Sequence, residues 1–153
     1  MASLNYDDVY SFFLGYVADY DFLELSDEGM AQLFAEYLRK ALAKPYLRRL
    51  FSSISFDEEE KMISYNLQLE TDESADTDFV IDILAKSMVV EWLQPMVKSK
   101  LNIMQLFTGK EQKWYSQKDH LAELRALLED AQLDVRRMIR DRGFISNSYL
   151  GGE

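Results

Sequence analysis

Residues 109–120, GKEQKWYSQKDH, hold the only histidine of the chain, His120, with Lys110, Lys113, Lys118, Trp114, Tyr115 and Ser116. Nucleophilic catalysis needs a serine, threonine or cysteine beside an oriented base. The chain has one imidazole and no cysteine, and it contains neither a glycine-flanked serine nor a glycine-rich phosphate loop. Glu111-Gln112-Lys113 has the Glu-x-Lys spacing that some metal-dependent nucleases place on a strand, but no strand pattern surrounds it. A structural histidine is therefore the favoured reading of His120.

Metal chemistry fares no better. Asp72, Ser74, Asp76 and Asp78 alternate as the ligands of a calcium loop do, yet the sixth position is Thr77 and the twelfth is Ile83. Such a loop needs glycine and glutamate there. A di-iron bundle needs Glu-x-x-His pairs, and Gln117 stands three residues before His120. One histidine without cysteine makes a poor zinc site. The expectation is a non-enzymatic chain with no catalytic residue, no metal and no cofactor.

Lys110, Lys113 and Lys118 interleave with Trp114 and Tyr115, a pairing that can stack bases and hold phosphate. The competing reading is that the aromatics plug a core while the lysines reach outward, and it is favoured. A third is a subunit interface, where aromatics are enriched.

The elements that must position these residues follow from periodicity. The chain has 153 residues, 48% hydrophobic, enough for one domain with one core. Cysteine-free composition fits a reducing compartment. No basic region precedes the first apolar residues, and no apolar run reaches the roughly 18 residues that suggest a membrane span. A soluble, cytoplasmic protein with no membrane partner is expected. The net charge is −10 and uneven. Residues 1–78 carry 17 acidic and 6 basic side chains, and residues 79–153 carry 10 and 11. An acidic domain repels phosphate, which argues against general nucleic-acid binding.

A first helix is expected over 6–17, capped by Asn5, with Val9, Phe12, Phe13 and Tyr16 on one face. A second starts after Ser26 and carries Leu33, Phe34, Tyr37, Leu38, Ala41 and Leu42 at helical spacing. Pro45 ends it and opens a short helix, PYLRRLF. Ile63, Tyr65, Leu67 and Leu69 alternate with polar residues, which predicts a β-hairpin near 52–70 with DEEEK as its turn. Residues 71–78 are expected as an acidic linker, followed by a helix capped at Asp76 or Thr77 that runs to about Leu93. Its apolar residues cover more than one stripe, so it should be central. Pro95 ends or kinks it, and 101–115 should be a connecting loop. Ser116 should start the last helix, and Gly143 should stop it at Arg142. Leu121, Leu124, Leu128, Ala131, Val135 and Met138 form its docking face, and Arg136, Arg137, Arg140 and Arg142 make its end basic.

The fold expected is mainly α: a compact bundle of about four helices over 1–143, a small β-hairpin insertion, and an extended C-terminal arm over 144–153.

MVVEWLQPMVKS (88–99), GKEQKWYSQKDHLAELRALLED (109–130) and VRRMIRDRGFISNSYLGG (135–152) together resemble head–tail connector (adaptor) proteins of tailed bacteriophages and prophages. AKPYLRRLFSSI (43–54) extends the likeness more weakly, and the hairpin and acidic linker depart from it most. The resemblance implies a virion neck protein. It would form a ring, usually of twelve copies, that joins the portal protein to a tail-side neck or tail terminator protein. Double-stranded DNA would pass through the lumen without specific binding. The protein would sit in the host cytoplasm before assembly.

Carried onto this chain, the portal-docking arm is Phe144, Ile145, Ser146, Asn147, Ser148, Tyr149 and Leu150. The subunit interface is expected at Trp114, Tyr115, Arg136 and Arg140, and contact with a neighbour or the tail side at Phe56, Tyr65 and Leu67. Two other readings stay open. One is a small cytoplasmic helical regulator that binds another protein. The other is a nucleic-acid-binding module using residues 109–120.

Overall fold

The computed structural model describes residues 2–17, 27–106 and 111–145. Among them the chain forms β1 (Ala2–Asn5), α1 (Tyr6–Tyr16), α2 (Asp27–Leu42), α3 (Pro45–Arg48), β2 (Phe51–Asp57), β3 (Met62–Leu67), α4 (Glu73–Leu106) and α5 (Glu111–Ile145). The architecture is mainly α with a small sheet, as the periodicity predicts.

The expected hairpin is β2–β3. Asp57 Oδ1 accepts the amides of Glu59 and Glu60 at 3.0 and 3.1 Å, an Asx-type closure of the turn. Lys61 completes the turn at φ 56°, in the left-handed region. Ile63, Tyr65 and Leu67 are buried along one face of β3. A third strand, β1, lies on the other side of β3, antiparallel, with Ala2 opposite Tyr65 and Asn5 opposite Met62. Four residues, ASLN, carry too little pattern to announce a strand, because the pairing that makes them one is supplied by β3. This pairing also changes the start of α1. Asn5 occupies the cap position with an extended backbone, but its side chain makes no capping hydrogen bond. The Tyr6 amide donates instead to the Lys61 carbonyl at 2.9 Å.

α4 is the central helix. Val80, Ile83, Leu84, Ala85 and Met88 are fully buried, and Val90, Trp92 and Leu93 nearly so. Phe13 of α1 packs edge-on against Phe34 of α2 and Trp92 of α4, with ring centroids 5.1 and 6.3 Å apart. Leu47 of α3 and Phe51 of β2 close the same core.

The boundaries of the two long helices depart from expectation. α4 begins at Glu73, inside the stretch expected as a linker. Asp72 Oδ2 accepts the Ala75 amide at 3.2 Å, the geometry of a helix cap. Carboxylates in a first turn complement the helix dipole, so an acidic run suits a helix start as well as a linker. Asp76 and Thr77 are therefore interior, and the Thr77 hydroxyl donates back to the Glu73 carbonyl at 2.9 Å. Pro95 does not end the helix, which runs on to Leu106. Most of the loop expected over 101–115 is also helical: 101–106 belong to α4 and 111–115 to α5. Ser116 and Gly143 lie within α5, so neither is its boundary. α5 returns antiparallel along α4 and docks through Leu121, Leu124 and Val135, with Leu128, Ala131 and Met138 half-buried beside them. No helix among the described residues is long and apolar enough to cross a membrane.

Candidate functional site

Four features join segments far apart in sequence. The first is a buried anchor between the end of α5 and the start of α4. Arg142 donates to Asp76 Oδ1 at 2.8 Å and to the Leu69 carbonyl at 2.6 Å. Its guanidinium also lies 5.0 Å from the centroid of the Phe79 ring. Asp76 in turn accepts the Thr71 hydroxyl at 2.5 Å and the Thr71 amide at 2.9 Å. Burial works to raise the Asp76 carboxyl. The Thr71 hydrogen bonds and Arg142 together outweigh it and hold the group below the ordinary aspartate range.

The second is a basic cleft between α3, α4 and α5. Lys44 and Arg49 flank α3, and Arg136 and Arg140 come from α5. Tyr46 and Ile139 supply its apolar surface, and Tyr46 is 38% exposed. Lys44 pairs with the buried Glu91 at 3.8 Å, and Arg140 with its neighbour Asp141 at 3.6 Å. Among the described residues, Arg49 and Arg136 have no carboxylate within ion-pair distance. Burial, then Glu91, raises the Tyr46 phenol, with Arg136 opposing, so it stays neutral.

The third is the hairpin tip. Asp57, Glu58, Glu59 and Glu60 are all exposed. Glu58 pairs with Arg39 of α2. Asp57 is committed to the turn, which leaves Glu59 and Glu60 at the apex. A smaller polar cluster joins α1 to α4. The Tyr16 hydroxyl donates to Asp82, and Lys86 pairs with Asp82 at 3.7 Å while lying 5.7 Å from the Tyr16 ring centroid. Burial, then the bond to Asp82, raises the Tyr16 phenol above its ordinary value. That makes it a donor and not a base.

The expected site residues divide among these features. Arg136 and Arg140 are brought together with Lys44 and Arg49, which carried no such role in the sequence reading. Trp114 and Tyr115 fall in the first turns of α5, and the interface role expected of their side chains lies outside what is described. Phe144 and Ile145 are the last helical residues, not the start of an extended arm. Their side chains, and residues 146–150, lie outside the described residues.

Tyr65 and Leu67 are 2% and 6% exposed, and Phe56 is half-buried with its ring 6.1 Å from that of Tyr6. Tyr65 and Leu67 belong to the chain's own core, and Phe56 packs half-buried against it. The strand period places Tyr65 and Leu67 on the inner face of β3, and Phe56 lies opposite Ile63 of that face. The outward groups of the hairpin are its polar residues and the acidic tip.

Chemically, these features can bind and hold. Among the described residues no three acidic or histidine side chains converge to hold a metal ion. The cleft suits an anionic partner with some apolar surface, and the anchor ties the end of α5 to the start of α4. No family model, curated protein or solved structure matches the chain.

Proposed function

We propose that the protein is a non-enzymatic structural subunit of a virion neck. Copies form a ring that joins the portal protein to a tail-side neck or tail terminator protein and lets double-stranded DNA pass. The observation that carries this reading is the resemblance over 88–99, 109–130 and 135–152. One structural fact and the net charge support it. Within 135–152, Arg136, Arg137 and Arg140 are exposed, the first and last of them in the cleft, while Arg142 is buried and ion-paired. The cleft pair suits contact with a neighbour. The buried arginine suits a fixed root for the segment that docks on the portal. An acidic chain also suits a channel wall, because tight phosphate contacts would stall moving DNA.

The experiment is co-sedimentation of the chain with its cognate portal protein, before and after deletion of 144–153. Binding by the full chain and its loss on deletion support the reading. Unchanged binding by the deleted chain contradicts the docking role. A full chain with no affinity for portal returns the protein to the class of small helical regulators.

A further inference from the structure

The acidic hairpin tip and the basic cleft are complementary surfaces that one copy cannot bring together. β2 begins two residues after Arg49 and carries the chain six strand steps, or about 20 Å, to the tip. The tip is held there by the Asp57 turn and by the Glu58–Arg39 pair. The cleft lies at the base of that strand, on α3 and α5. Each copy therefore carries one surface of each sign, well separated.

We propose that the hairpin tip of one copy seats in the cleft of a second copy. Glu59 and Glu60 lie against Arg49, Arg136 and Arg140, and Tyr46 packs beside them. The contact is heterologous, so every copy donates a tip and receives one. Repetition of such a contact closes a ring or extends a filament. The inference deepens the ring-forming part of the proposed function and rests on it. It does not depend on where in the virion the ring sits.

Charge decides the choice of occupant. The chain carries −10 overall, so its copies repel unless local charges are matched. Arg49 and Arg136 are unmatched within the described part of one copy, and Glu59 and Glu60 make no ion pair there. A second copy supplies both deficits at once. A nucleic acid would answer only the cleft and would meet the acidic remainder of the surface.

The test is sedimentation velocity of the full chain over a range of concentrations. Two variants are made, E59K/E60K with a reversed tip and R136E/R140E with a reversed cleft. Self-association of the native chain is expected to weaken in 1 M salt, where screening acts over only about 3 Å. Each variant alone should associate about tenfold more weakly or worse. An equimolar mixture of the two should recover association, because the reversed tip fits the reversed cleft and the native tip fits the native cleft.

A native chain that stays monomeric throughout overturns the proposal, and so does a mixture no better than its components. Salt-sensitive binding of duplex DNA that R136E/R140E abolishes, without self-association, assigns the cleft to nucleic acid instead. None of these failures touches portal binding, so the location of the protein is judged separately.

Discussion

Arg142 and Asp76 stand 66 residues apart in sequence and meet at 2.8 Å in the buried seam between α5 and α4. Their side chains are only 9% and 10% exposed. Removing one member of a buried ion pair leaves the other charged without its counter-ion, at a typical cost of about 3–5 kcal/mol. Arg142→Met and Asp76→Asn should each destabilise the chain by roughly that range in urea unfolding. The double variant should cost much less than the sum of the two, and additive losses would show that the residues act independently.

The same pair gives a pH dependence with a definite sign. Asp76 is held below its ordinary value of 3.8. Its contribution is therefore complete above that value and is lost as the pH falls through the lowered native one. Stability of the native chain should drop on acidification below about pH 4. Asp76→Asn should be less stable at neutrality and show a shallower acid loss, as read from thermal midpoints across the acid range.

Phe13 is fully buried where α1, α2 and α4 meet, with rings of Phe34, Tyr37 and Trp92 around it. Phe13→Ala removes those contacts and leaves a cavity, which should cost about 3–5 kcal/mol. Phe12, one residue earlier, is 45% exposed. Its replacement by alanine should cost less than about 1 kcal/mol, and equal losses at the two positions would contradict the placement of α1.

Pro95 is exposed and sits inside α4, where it offers no amide to the Glu91 carbonyl. Proline inside a helix is about 3 kcal/mol less favourable than alanine. Pro95→Ala should therefore raise the thermal midpoint, by some fraction of that amount. A fall would mean that the helix depends on the proline's geometry.

Asp72 caps α4 through the Ala75 amide. Asp72→Ala should cost about 1 kcal/mol, whereas Asp72→Asn, which keeps the acceptor, should cost less. Equal losses would place the effect in charge and not in the cap.

The parts of the fold legible in the sequence are those set by local period. The alternation of Ile63, Tyr65 and Leu67 found the hairpin, and the broad apolar surface of 79–93 found the central helix. The spacing from Leu121 to Met138 found the docking face of α5. What escaped depends on partners distant in the chain. β1 is a strand because β3 accepts it. Residues 73–78 are helical because Asp72 caps them, although the same letters suit a linker. Ser116 and Gly143 looked like boundaries by residue type, and the helix runs through both. The cleft was half visible: the arginines of α5 stood out as a basic end, but only folding sets Arg136 and Arg140 beside Lys44 and Arg49. The Asp76–Arg142 anchor had no sequence signal, because neither residue's environment can be read from its neighbours.

The proposed function makes the domain a ring subunit whose C-terminal segment docks on a portal. Its most direct measurement is the affinity of the purified full chain for the assembled portal, set against that of the chain ending at Gly143. The claim predicts saturable binding by the full chain and at least a hundredfold weaker binding by the shortened one, a difference of about 2.7 kcal/mol. Equal affinity of the two chains, or no binding by either, would contradict it.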